Sequence, residues 1–539
     1  MSNKLANFDG LVLGVYKDGS LSESASKEVS NNVQQTIKQQ LQCAGVKGKL
    51  GEVRVLYGIG REEGLPSKIA VVNLGPKSES LKESLNKARV AAAAGVRSLR
   101  DQGAKNIAID VMTNEHGASE GATLGLFKPD NLKSIQNKKE SVKISPFGSS
   151  SSAQGFTWET GLIYADAQNF ARILGNSPAN HMTPTIFTEN VKSFLKDLPK
   201  VEVIVRDEKW AEEKKMGSFL SVGRGSNEPS KFLEIHYKGG KEGDKPLALF
   251  HQSMTYIYMY FFNLGVTFDS GGISLKSSAN MSEMKIDMGG GAAVSAALYG
   301  IAKLELPINV VVAVPLCENL PSGHATKPGD VIIAMNGKSI EVDNTDAEGR
   351  LILADALYYT SSTFKPHSLI DIATLTGAMA VALGADRYSG VFSNSDKLWE
   401  ELLEAGKITN DNFWRMPLDD FYLKAMTKSD VADYINASGS RYGGACTAAI
   451  FLKEFVYGLG DEGTVGKDIT SIDKEKKDDV VEGNIIDKDA DEINKIRYAH
   501  IDMAGVMITS EDSCYDVKGA TGRPTRSIIE VARRLAAPK

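Results

Sequence analysis

The stretch Asn344-Thr345-Asp346-Ala347-Glu348-Gly349-Arg350-Leu351 runs straight into the apolar segment Leu351–Tyr359. It sets two carboxylates and a guanidinium at alternate positions just ahead of what reads as a helix. In an extended or turning segment, residues two apart point the same way, so Asp346, Glu348 and Arg350 can face one pocket. Two acids there suit a divalent metal held through hard oxygen ligands, and the arginine suits an anion. An acidic turn capping the following helix would account for a lone Asp or Glu. It does not account for eight ordered residues of this composition.

A second cluster lies upstream. Gly265-Val266-Thr267-Phe268-Asp269-Ser270-Gly271-Gly272-Ile273-Ser274-Leu275-Lys276 passes from a β-type apolar run into a glycine turn, and Asn280–Gly290 follows. Together they supply Asp269, Lys276 and Asp287. Taken singly, each reads as a turn residue or a solvated charge. As a set with Asp346 and Glu348 they make a carboxylate-rich site without His or Cys, which suits Mn, Mg or Zn bound through oxygen, with two metals sharing a bridging carboxylate.

Working outward, short β-rich apolar runs alternate with helical patterns, which predicts an α/β fold. In the first part the strands are Leu11–Tyr16, Val53–Tyr57, Ile69–Leu74 and Asn106–Val111, with helices at Asn31–Leu41 and Leu81–Gln102 and a mostly parallel sheet. Ser145–Ser152 is a break rich in Ser, Gly and Pro, and Ala153–Leu174 reads as one long helix. From about Gly175 the pattern repeats, with strands expected at Val201–Val205, Phe232–His236, Asn309–Val314, Leu369–Ala373 and Ala499–Ala504. The reading is a smaller N-terminal α/β domain over 1–150, a helix over 151–174, and a larger C-terminal α/β domain over 175–539 that carries the acidic motifs. In the latter a central mixed sheet is flanked by helices, with the ligands at its carboxyl edge. The glycine groups Gly58–Gly64 and Gly289–Gly291 lack the spacing and strand-to-helix context of a phosphate loop, so no nucleotide site is expected.

With these motifs the chain resembles the leucyl aminopeptidase family, the two-metal cytosol aminopeptidases, over nearly its whole length. Asn344–Leu351 matches the family signature. Further family-like segments are Asn176–Asn180, Gly217–Val222, Lys327–Asp330, Ala373–Ala378 and Thr521–Arg526. The resemblance implies that Asp269, Asp287, Asp346 and Glu348 bind two divalent ions, Zn or Mn with Mg a further option. It implies that Lys276 and Arg350 serve catalysis, the arginine by holding a bicarbonate that shuttles protons. It also implies that Met284 and Thr374 line the pocket for the substrate's first side chain, that the substrates are peptides with a free N-terminus and preferably a Leu-like first residue, and that the protein is a homohexamer.

Two segments depart from the family pattern. The family carries a metal-binding lysine five residues before the position of Asp269, and here that position is Leu264, which has no lone pair to donate. The preceding aromatic stretch His251–Asn263 is longer than its family counterpart. Three readings stay open: divergence of a duplicated gene, a different metal arrangement, or translated intron in the gene model. The first of these admits a catalytically impaired aminopeptidase-like paralogue with a structural role. Second, Asp461–Arg497 carries twelve acids and seven bases with no periodic apolar face, and composition predicts a solvated acidic loop insertion.

Length and composition bound the rest. A chain of 539 residues, 42% hydrophobic, accommodates two domains with sizeable cores. A net charge of −6 argues against nucleic acid or an anionic membrane as a partner. Cys43, Cys317, Cys446 and Cys514 are scattered, which fits reduced thiols. The seven histidines are dispersed too, and they read as ordinary core or surface residues. No apolar run reaches the roughly eighteen residues needed to span a bilayer. Met1–Asp9 does not read as a targeting segment, so a cytoplasmic location is expected.

Overall fold

The first nine-residue polar stretch gives way at Gly10 to a strand whose residues alternate between two cores, and this period of two organises the N-terminal domain. The computed structural model describes Leu5 and residues 7–77, 80–149, 155–240, 258–263, 265–279, 281–440, 442–460 and 496–537. The strands are β1 (Gly10–Val15), β2 (Val53–Tyr57), β3 (Lys68–Asn73), β4 (Asn106–Asp110) and β5 (Lys143–Phe147). They lie in the order β2-β3-β1-β4-β5, all parallel neighbours except the antiparallel edge strand β2. Leu11, Leu13 and Val15 face a core shared with Val33, Ile37 and Leu41 of helix Asn31–Cys43. Val12 faces the opposite core, under helix Leu81–Asp101. Gly95 lets that helix approach, because a Cβ there would lie 2.4 Å from Val12 Cγ1.

Helix Trp158–Asn176 leads into the second domain. It starts later than the sequence pattern suggests, because Thr157 and Thr160 form a reciprocal capping box that fixes the first turn. The strands that follow are β6 (Val201–Arg206), β7 (Lys231–Lys238), β8 (Tyr258–Asn263), β9 (Gly265–Asp269), β10 (Asn309–Asn319), β11 (Asp330–Ile333), β12 (Ser339–Val342), β13 (Ser368–Ala373), β14 (Tyr388–Ser393), β15 (Asn412–Met416), β16 (Tyr434–Ile435) and β17 (Arg497–Asp502). The central sheet runs β15-β14-β17-β13-β8-β10-β7-β6, with β9 also paired to β10. It is mixed: β7 and β14 run antiparallel to β10 and β17, while β8 is parallel to both β10 and β13.

Part of the aromatic segment thus forms an interior strand, with Met259 and Phe261 buried. Its register on β10, Phe262 to Ala313, carries the same offset as that of β9, Gly265 to Leu316. Leu264 itself, residues 251–257 and residues 461–495 of the acidic insertion lie outside the described residues.

Helices Trp158–Asn176, Gly289–Lys303 and Thr525–Ala536 cover one face of the sheet, against Ile370, Ile372, Ala499 and Ile501. Helix Gly349–Phe364 covers the other, against Leu369, Ala373 and Tyr498. Among the described residues no helix is long and apolar enough to cross a membrane.

A buried ionic junction ties the two domains. Glu120, on helix Glu115–Gly125, pairs with Arg89 at 2.8 Å and with Arg526 of the last helix, which also reaches Gln168. Burial alone would raise the Glu120 pKa, but Arg89 and Arg526 hold it down at about 2.

Candidate active site

The site lies where β9 and β10 end, at the carboxyl edge of the parallel strands. Asp269 closes β9, and the chain then turns through Gly271 and Gly272 with φ of +87° and +64°. Only glycine fits there. A Cβ on Gly271 would stand 2.5 Å from the Ser274 carbonyl and 2.7 Å from Asp346 Oδ1. The turn is clamped to the Asn344–Leu351 segment: Thr345 Oγ1 donates to the Gly271 carbonyl at 2.6 Å and accepts from the Ser274 amide at 2.8 Å.

This clamp brings the two sequence clusters together. Asp269, Asp346 and Glu348 each offer a carboxylate oxygen, and the three atoms lie within 4.8 Å of one another. Glu348 occupies the N-cap position of helix Gly349–Phe364 but makes no side-chain capping bond, so helix capping does not use its carboxylate. Lys276 Nζ bridges Asp269 and Asp346 at 2.7 and 2.6 Å. Asp287 stands beside the trio rather than within it, on the turn that follows the short helix Met281–Ile286, and accepts from Thr374 Oγ1 at 2.6 Å. Met284 belongs to the same short helix, and its carbonyl accepts from the Asp287 amide at 3.3 Å. Arg350 is buried at the second position of its helix, outside the acidic trio, and its Nε has no hydrogen-bond partner among the described residues.

Four carboxylates here face two cations, and the electrostatics reflect that imbalance. Burial, then the charge of Asp269, pushes the Asp287 pKa up to about 8. Burial and the charges of Asp269 and Asp287 raise Glu348 well above the usual carboxylate range. Burial lowers Arg350 to about 10, although Glu348 and Asp502 favour its charged form. Lys276 goes the other way: burial opposes its charge, but Asp269 and Asp346 outweigh that and hold it above the ordinary lysine value. Converging carboxylates, buried at Asp269, Asp287 and Glu348 and half-buried at Asp346, short of counter-charge and without His or Cys among the described residues of the cluster, are a donor set that fits hard divalent cations.

One residue of this arrangement was not singled out by sequence. Asn319, the last residue of β10, donates through Nδ2 to Asp269 Oδ1 at 2.9 Å and to the Thr345 carbonyl at 3.0 Å, with Glu348 Oε2 at 3.5 Å. It therefore holds both halves of the acidic trio. Its signal in the sequence is a polar residue three positions after the apolar run Val310–Leu316, at the carboxyl edge of a strand.

The model of the cytosol aminopeptidase family catalytic domain matches residues 169–529, and that of the family's N-terminal domain matches residues 12–136. The chain is 43% identical to a cytosol aminopeptidase of Xenopus tropicalis, covering 98% of this chain and 93% of the relative. It is 42% identical to the human cytosol aminopeptidase at the same coverage. Among solved structures it resembles the bottromycin maturation enzyme BotP in complex with Mn, with a TM-score of 0.78 at 28% identity over 98% of this chain and 100% of that one. It also resembles a variant of tomato leucine aminopeptidase, with a TM-score of 0.74 at 27% identity over 99% and 95%. Two domain models matched in order, and relatives matched almost end to end, establish that this chain belongs to the cytosol aminopeptidase family.

Proposed function

We propose that the chain is a two-metal aminopeptidase that hydrolyses N-terminal, preferably Leu-like, residues from peptides with a free amine. The observation that carries this is the convergence of Asp269, Asp346 and Glu348 oxygens within 4.8 Å, bridged by Lys276. Asp269, Asp287, Asp346 and Glu348 would hold the ions, Zn or Mn with Mg a further option, and the Mn-bound structural relative supports a divalent ion. When bound, two such ions supply Lewis acidity toward the scissile carbonyl and the attacking water.

The chain's own residues do the rest. The Lys276 ammonium, kept charged by its acidic neighbours, stabilises negative charge developing on the carbonyl oxygen. Arg350 would hold a bicarbonate, which would supply a proton acceptor and donor beside the site. Met284 and Thr374 flank Asp287 and form the pocket for the first side chain, where apolar contact discriminates methylenes only weakly. The domains divide as 1–150, 151–174 and 175–539, the active form is a homohexamer, and the protein works in the cytoplasm.

Leu264 favours a second reading, a catalytically impaired paralogue kept for a structural role, because a leucine cannot donate to a metal. One assay separates the two. The protein loaded with Mn is offered Leu-anilide and N-acetyl-Leu-anilide. Release of aniline from the free-amine substrate alone, lost in Asp346→Asn, supports the enzyme. No release from either supports the structural reading. Light scattering that shows only a monomer of 58.1 kDa would remove the hexamer from the account.

A further inference from the structure

The loop that carries Asp346 and Glu348 is held on two sides. One side is the Thr345 clamp on the Gly271 turn. The other is Asn436, a fully buried residue outside both acidic motifs. Strand β16 runs parallel beside β12, with Ile340 opposite Tyr434 and Glu341 opposite Ile435. The Asn436 main-chain amide adds one more rung by donating to the Glu341 carbonyl at 2.9 Å. Its side chain therefore stands where β12 ends at Val342 and the chain leaves for Asp343–Glu348.

All four hydrogen-bonding positions of that side chain are used on this one loop. Oδ1 accepts from the Asp343 amide at 2.9 Å and from the Asn344 amide at 3.2 Å. Nδ2 donates to the Asn344 carbonyl at 2.7 Å and to the Ala347 carbonyl at 3.3 Å. Two amides at one end and two carbonyls at the other demand a carboxamide, since a carboxylate would set an oxygen against both carbonyls. Asn344 carries the hold forward, because its Oδ1 accepts from the Asp346 amide at 2.9 Å. The grip thus spans Asp343 to Ala347, with Asp346 inside it and Glu348 one residue beyond. A buried polar side chain paired at every position fixes a single local geometry. The outer part of the same ribbon is tied separately and near the surface, where Asp433 accepts from the Ser339 amide and hydroxyl, both at 2.8 Å.

We propose that Asn436 is a positioning residue, whose carboxamide sets the backbone of Asp343–Ala347 and so aligns Asp346 and Glu348 against Asp269. The consequence for metal rests on the two-metal reading, and the structural consequence rests on the hydrogen bonds alone.

The test uses the full-length protein, stripped of metal, in three variants. Asn436→Ala removes all four side-chain bonds, and Asn436→Asp keeps the acceptor pair while losing the donor pair. Asp433→Ala breaks the outer tie of the same ribbon and leaves the loop's own bonds alone. Calorimetric titration with Mn, per folded chain, should show at least one site weakened on the order of tenfold in both Asn436 variants. Mn affinity should be unchanged in Asp433→Ala, however far thermal stability falls in each. Crystal structures of the metal-free variants should show residues 343–348 displaced relative to Asp269 in the two Asn436 variants only. Unchanged Mn affinity with the loop in place overturns the proposal. Equal weakening in Asp433→Ala also overturns it, since that marks a general loss of stability. If Asn436→Ala does not fold, Asn436→Asp decides by the same readouts. If the parent protein binds no Mn, the two-metal reading fails by itself, and the position of Asp346 in the variant crystals still decides the role of Asn436.

Discussion

Replacing Asn319 by Leu removes the side-chain amide that joins β9 to the Asn344–Leu351 segment inside the acidic trio. The side chain is buried and of similar size, so the change leaves little cavity. Two bonds are lost: one to the Asp269 carboxylate at 2.9 Å and one to the Thr345 carbonyl at 3.0 Å. A bond to a charged group contributes about 1.5–3 kcal/mol and a neutral one about 0.5–1.5 kcal/mol, so the loss is about 2–4.5 kcal/mol. Part of this falls on stability, because Asp269 keeps its bond from the Gly271 amide at 2.8 Å. The rest falls on the alignment of Asp269 against Asp346 and Glu348, and partners of this kind typically hold about tenfold to a hundredfold in metal affinity. Calorimetric titration of the metal-stripped protein with Mn should therefore show at least one site weakened by about that factor. Thermal unfolding should show a lower midpoint. Unchanged Mn affinity in a folded Asn319→Leu protein would refute the view that this amide aligns the trio.

Three further outcomes are expected. Gly271→Ala forces a Cβ to within 2.5 Å of the Ser274 carbonyl at a φ of +87°, so it should cost about 1–3 kcal/mol by chemical denaturation and weaken Mn binding. Glu120→Gln leaves Arg89 buried without its counter-charge and Arg526 with only Asp411 at 3.8 Å, and should cost about 3–5 kcal/mol by the same assay, with no change in Mn affinity. In the parent, the folded-state pKa of Glu120 is depressed from 4.5 to about 2, so its stabilisation is present above 4.5 and lost as pH falls toward 2; the acid limb of unfolding midpoints against pH should be shallower in Glu120→Gln.

The layered α/β plan was readable because hydrophobic period is local: Leu11, Leu13 and Val15 sort to one core and Val12 to the other within a single short run. The acids of the candidate site were readable because they fall in two contiguous motifs with distinctive composition. What stayed hidden depends on pairings far apart in the chain. Asn319 gains its role only when β10 lies beside β9 and the Thr345 loop folds over it. His500 reads as an unremarkable core residue until strand register sets it opposite Asp371, well over a hundred positions earlier. The helix start at Trp158 was hidden for a different reason: the capping box Thr157–Thr160 overrides an apolar pattern that begins sooner. The aromatic run before Leu264 looked foreign, yet Tyr258–Asn263 takes a central place between β10 and β13, with Met259 and Phe261 buried.

The most direct test of the account is a Mn titration of the metal-stripped protein, with ions bound per chain and Leu-anilide turnover followed in the same samples. The predicted result is two ions per chain at saturation. The second should bind more weakly because position 264 offers no amine, and turnover should rise as it binds. Replacing His251–Leu264 with Val-Gly-Lys should strengthen that second site and raise turnover. Saturation with no ion, or turnover indifferent to metal, would contradict the central claim that Asp269, Asp287, Asp346 and Glu348 form a working two-metal centre.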